Sequence, residues 1–210
     1  MKGLLLKDFY NLSRMGKQYL VIFAAMGVWA YFMDNPTIVS MYVVLCSSML
    51  VLSSFSYDEY AKFEKYALTM PIRKKTLVQE KYVLLLLAVA GGTVVGIPLG
   101  GLLNLLLKGD FTELLVTSVI LGCSFLIVYA VVFPIVFKLG VEKARLMMVG
   151  IYVAIFVILY GVGKLLGQTE GMNEADFFGW LIPLAMVLAA AVVTAVSYFW
   201  SLKVIEQKEW

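Results

Sequence analysis

The run YVLLLLAVAGGTVVGIPLGGLLNLLL, from Tyr82 to Leu107, is 26 consecutive residues without a charge, held between Lys81 and Lys108. A helix rising about 1.5 Å per residue crosses the hydrocarbon of a bilayer in roughly 20 residues, so this run alone is long enough to span a membrane. Strands of an outer-membrane barrel would read as segments of roughly ten residues alternating apolar and polar, and the stretch Val83 to Ala90 shows no such alternation. Runs of the same kind recur: 16 uncharged residues between Lys17 and Asp34, 23 between Asp34 and Asp58, and 24 between Glu113 and Lys138. Another 18 lie between Arg145 and Lys164, and 26 between Asp176 and Lys203. Six intervals predict six transmembrane helices. The first is the shortest and leans on its flanks, where Tyr19, Trp29 and Tyr31 suit the membrane interfaces and Lys17 can snorkel.

Composition points the same way. Of the 210 residues 62% are hydrophobic and 15% charged, and the mean hydropathy is +0.91, well beyond the roughly 45–50% apolar content of a soluble domain. The 31 charged side chains are too few, and too segregated, to form the skin of a soluble fold.

The basic residues set the orientation. With the N-terminus in the cytoplasm, 15 of the 17 lysines and arginines fall on inner segments and only Lys108 and Lys164 lie outside. Both termini are therefore expected to be cytoplasmic. Acidic residues do not discriminate, since eight fall inside and six outside. Residues Met1 to Gly16 lack the apolar stretch and small-residue cleavage site of a secretory signal, so the mature chain is expected to begin at Met1. Cys46 and Cys123 fall within spans and read as small packing residues rather than a disulfide. Two cysteines and no histidine exclude the usual zinc ligand sets.

Catalytic equipment is not visible. The string Gly161-Val162-Gly163-Lys164 lacks the upstream glycine and the magnesium-binding hydroxyl of a Walker loop, so the chain is not expected to hydrolyse ATP. No charge-free interval holds the intramembrane ionisable group that a protease or proton-coupled carrier needs, at roughly 2.5–3.5 kcal/mol of insertion cost each. Any driven transport must then take its energy from outside the membrane.

The inner segments are where an external motor would attach. From Ser56 to Lys81, Ser56 with Glu59 reads as a capping box, and Pro71 stops the helix near Met70. Tyr60, Phe63, Ala67 and Met70 recur at helical spacing opposite Glu59, Lys62 and Lys65. Thr76 with Gln79 reads as a second capping box. Such an element suits either an interfacial position on lipid headgroups or docking into a partner's groove. Residues Met1 to Lys17 form a similar amphipathic element, with Leu5, Phe9, Leu12 and Gly16 on one face and Lys7, Asn11 and Arg14 away from it. The third inner segment, Lys138 to Arg145, is short and basic; the positive-inside rule explains its charge by itself, and docking to a partner is an equal alternative. Within the span Tyr82 to Leu107, Gly92, Gly96 and Gly100 form a strip for close helix contact, within the chain or across a dimer, with a flexing element as the alternative. Pro98, Pro134 and Pro183 are expected to kink their spans. The outer loop Gly167 to Phe178, with Glu170, Glu174 and Asp176, reads as a solvated connection, with selection of cationic cargo as the alternative.

The stretch SYDEYAKFEKYALTMPIRKKTLVQEKY, Ser56 to Tyr82, resembles the first inner loop of bacterial ABC-2 type permeases. The opening MKGLLLKDFYNL and the loop FPIVFKLGVEKAR, Phe133 to Arg145, resemble the corresponding parts of the same family. Among its members the small permeases of phenol-soluble modulin exporters are similar in length and also lack a large external domain. The resemblance implies an all-α integral membrane protein forming one transmembrane domain over residues 1–210. It would have six transmembrane helices, an N-terminal amphipathic interfacial helix and short cytoplasmic coupling helices. It further implies pairing with a second permease, identical or not, and with two copies of a separate ATPase that binds ATP and Mg. ATPase-coupling residues carried over are Asp58, Glu59, Lys62, Phe63, Glu64 and Lys65 on the first inner loop. On the second they are Gly140, Glu142, Lys143 and Arg145. The expected function is the permease of an exporter in the bacterial cytoplasmic membrane, moving amphipathic or hydrophobic peptides or other amphiphiles. A cofactor in this chain and a nucleic-acid partner are not expected. A membrane scaffold or sensor that binds a cytoplasmic partner without transport is the alternative; a passive channel ranks behind both, for want of a charged ring or filter-like loop.

Overall fold

The computed structural model of the chain describes residues 2–13, 16–63, 66–67, 74–107, 110–150, 153 and 175–207. Among them all regular structure is helical. The elements are α1 (Lys2–Ser13), α2 (Gly16–Phe32), α3 (Thr37–Tyr60), α4 (Lys74–Leu107), α5 (Phe111–Leu139) and α6 (Ala175–Gln207). Residues 141–150 are also helical. The helices α3, α4 and α5, with the Pro183–Gln207 part of α6, are long and apolar enough to cross a membrane. The first expected span appears as α2, whose apolar part, Gln18–Phe32, is shorter than that. Most of the interval between Arg145 and Lys164 lies outside the described residues, as does the outer loop up to Glu174.

Length separates what is in the hydrocarbon from what is not. At about 1.5 Å per residue the 34 residues of α4 extend roughly 50 Å, well past a core about 30 Å thick. Its charged start, Lys74 to Lys81, is therefore an extension of the span rather than part of its charge-free middle. The expected capping box at Thr76 is corrected accordingly: the helix is already formed at Lys74, and Gln79 Nε2 donates instead to Tyr198 Oη on α6 at 3.0 Å.

The helices pair as α3 with α4 and α5 with α6, closed by contacts of α5 with α3 and α4. Gly92, Gly96 and Gly100 make the first pairing possible. A β-carbon at Gly96 would stand 3.2 Å from the carbonyl oxygen and 3.3 Å from the Cα of Ser40, and one at Gly92 would stand 2.9 Å from Ser47 Cβ. The glycine strip thus faces α3 of the same chain. Phe55, Tyr82, Phe133 and Phe137 form the core's aromatic centre, with edge-to-face rings at 4.9–5.3 Å.

Pro134 lies inside α5 and cannot donate to the carbonyl of Ala130, one turn before it. Ser197 Oγ on α6 donates to that carbonyl and also contacts Tyr82 Oη at 2.5 Å. A backbone group freed by proline is therefore satisfied across a helix pair, as lipid surroundings require. The outer face of α6, including Leu188, Val192 and Val196, is exposed and apolar, as a lipid-facing surface should be. Cys46 and Cys123 are buried and unbridged.

Candidate functional site at the basic end of the bundle

One end of the bundle gathers α1, the end of α3, the start of α4, the end of α5, residues 141–150 and the end of α6. It carries most of the described basic residues, and two polar constructions organise it.

The first joins the two inner segments. The helix expected to start at Ser56 does not start there: α3 runs through to Tyr60, and Ser56 Oγ donates to Leu52 O within it at 2.9 Å. A serine followed three residues later by a glutamate fits a helix interior as well as an N-terminus, because serine can donate to the preceding turn. Glu59 instead caps a different helix. Its Oε2 accepts the backbone N–H of Val141 at 2.6 Å, at the first turn of residues 141–150, where a carboxylate is favoured by the helix dipole. Gly140 permits this approach, with a φ of 86° and so little room that a β-carbon would stand 2.7 Å from Glu59 Oε1. Arg145 Nη2 donates to Ser56 Oγ at 2.7 Å, a second tie between the same segments. Val141, Ala144 and Met148 are buried against the core, leaving Glu142 and Lys143 exposed.

After Tyr60 the chain turns through Lys62, a non-glycine residue at φ 50°. The expected stripe does not share one face: Tyr60 is 93% exposed, Ala67 is buried, and Phe63 is half-buried against Leu4, Ala67 and Leu77. The Phe63 ring also lies 3.7 Å beneath Lys7 Nζ, so it is occupied within the chain. Glu64, Lys65, Met70 and Pro71 lie outside the described residues.

The second construction fastens α1 to α3 and α4. Phe9, expected on the apolar face of α1, is 71% exposed, and the buried edge is formed by Leu4 and Asp8, with Leu5 and Leu12 packed on the core. Lys7, expected away from the apolar face, bridges Asp58 at 2.5 Å and Asp8 at 3.2 Å. Lys81 bridges Asp58 at 2.6 Å and Asp8 at 2.8 Å, and its Nζ also donates to Ser54 Oγ at 2.7 Å. Burial alone would raise the Asp8 carboxyl, but its contact with Glu80 and the ammonium of Lys81 outweigh it and hold Asp8 well below the ordinary carboxylate range. Of the expected coupling residues that are described, Asp58 alone is ion-paired in this network. Lys7, Asp8, Glu80 and Lys81 were not singled out from sequence, although Leu4, Asp8 and Leu12 at fourth-residue spacing do place an acid on a buried stripe.

Among the described residues no cluster of metal-ligating side chains occurs. A family model described as "ABC-2 family transporter protein" matches residues 3–206, nearly the whole chain. The chain belongs to the ABC-2 transporter family. As a member it is a multi-pass membrane protein and a membrane component of an ABC transporter, a kind of subunit that works with an ATPase rather than being one. Neither a curated protein nor a solved structure matches this ABC-2 transporter chain.

Proposed function

We propose that the chain is the transmembrane permease subunit of an ATP-driven exporter in a bacterial cytoplasmic membrane. Its basic end faces the cytoplasm and receives a separate ATPase. The permease pairs with a second permease, two ATPase copies bind ATP and Mg, and their closure moves the inner segments so that access alternates across the membrane. The cargo is an amphipathic or hydrophobic peptide or another amphiphile, in keeping with an apolar bundle whose charge-free intervals hold no ionisable group.

The observation that supports this most is the joint between the inner segments. Glu59 on Val141 N–H and Arg145 on Ser56 tie the end of α3 to residues 141–150, so a push on either is shared by both. Exposed Tyr60, Lys62, Glu142 and Lys143 surround that joint and form the surface offered to a partner. Phe63 is assigned to internal packing instead.

The test is co-purification and reconstitution with the cognate ATPase. Tyr60→Ala should weaken ATPase binding about 30-fold, as loss of a roughly 2 kcal/mol anchor requires. Membrane insertion should be unchanged. Unaltered ATPase binding would remove Tyr60 from the interface, whereas ATPase binding that no amphiphilic cargo stimulates would favour the non-transporting scaffold or sensor.

A further inference from the structure

Among the described residues, the charges that fasten α1 do not balance. Asp8, Asp58 and Glu80 supply three carboxyls against the two ammonium groups of Lys7 and Lys81. Lys7 serves Asp8 and Asp58; Lys81 serves the same two residues and stands 3.6 Å from Glu80. Asp8 and Glu80 are each only 1% exposed; Asp8 Oδ1 faces Lys7 Nζ at 3.2 Å and Glu80 Oε1 faces Lys81 Nζ at 3.6 Å, and neither oxygen accepts a hydrogen bond. Two buried oxygens that accept no hydrogen bond, on side chains in contact, and one surplus negative charge are all resolved by one proton, because like carboxylates sharing a buried site do not both ionise.

We propose that Asp8 and Glu80 form a carboxyl–carboxylate pair that binds one proton, and that this proton is what allows α1 to dock on α3 and α4. Among the described residues, the titratable groups facing the pair are Lys7 from α1, Asp58 from α3 and Lys81 from α4. Phe137 of α5 and Ile205 of α6, which close the site from the other side, do not titrate. A cavity of about 20 Å³ lined by Asp58, Glu80 and Lys81 is large enough for one water beside Glu80. Removing the proton sets two buried carboxylates against each other and releases α1. Since the docked state holds the extra proton, docking weakens as pH rises. Lys7 grips Asp58, the residue before Glu59, so release of α1 also loosens the joint to Val141; this consequence rests on the proposed coupling role, whereas the proton site does not.

Infrared difference spectroscopy of the full chain in detergent reads the proton directly, through the C=O stretch of a protonated carboxylic acid. Wild type at neutral pH should show one such carboxyl per chain, lost in alkaline buffer. Glu80→Gln, which keeps a donor toward Asp8, should lose the band and show a melting temperature independent of pH where wild type declines. Asp8→Asn should lose the band as well, although Glu80 remains, because the charges then balance. No band in wild type, a band that persists in Asp8→Asn, or a wild-type pH slope in Glu80→Gln would each overturn the proposal. If Glu80→Gln does not fold, the wild-type titration and Asp8→Asn decide. No ATPase or cargo is present, so the outcome is independent of whether the chain is an exporter.

Discussion

Along α4, Gln79, Glu80 and Lys81 at one end reach polar or charged partners on α1, α3 and α6, whereas Gly92, Gly96 and Gly100 further along offer no side chain and admit the body of α3. The first kind of attachment depends on protonation and on partners that can be exchanged. The second depends only on two backbones being close. For the alternating access proposed above, the polar end is suited to rearrange and the glycine half to hold α3 and α4 together as one body.

The largest effect should come from the polar end. Lys81→Met removes the buried one of the two ammonium groups that Asp8 and Asp58 share, leaving them Lys7, and one-sided loss of a buried ion pair typically costs about 3–5 kcal/mol. Denaturant or thermal unfolding in detergent measures it, and adding Asp8→Asn should recover part of the loss. Because Asp8 is held below the ordinary carboxylate range, its own contribution is complete above about pH 4 and is lost only as pH falls further. A Lys81→Met protein as stable as wild type would break the contrast at its polar end.

At the other half, Gly96→Leu places a branched side chain against the Ser40 backbone, and overpacking of this kind costs about 1–3 kcal/mol. Gly91→Leu is the control, since a β-carbon there meets nothing within 4 Å and its effect should be close to nil. Equal melting temperatures for the two variants would remove the α3–α4 contact from the account. A smaller loss, about 1 kcal/mol, is expected for Glu59→Gln, which keeps an acceptor for Val141 N–H but removes the charge that favours the helix start. Its value sharpens the comparison by separating the joint between segments from the network that holds α1.

Sequence by itself determined the solvent, the class of fold and the distribution of charge. A run such as Tyr82 to Leu107 has to be a helix in lipid because no other backbone arrangement within one segment satisfies its N–H and C=O groups. It also showed that the glycines of that run would meet a neighbour, since fourth-residue spacing lines one helix face. Only the tertiary structure decided which neighbour, and it was α3 of the same chain. Local patterns misled where several physical solutions fit them: Ser56 and Glu59 resemble a capping pair, yet Glu59 caps a helix that starts 82 residues later. Asp8, Asp58, Glu80 and Lys81 are scattered along the chain, and each alone is an ordinary charge at the end of an apolar run. Their meeting depends on how α1 folds back over α3 and α4, and no periodicity within a single helix encodes the distance between two helices.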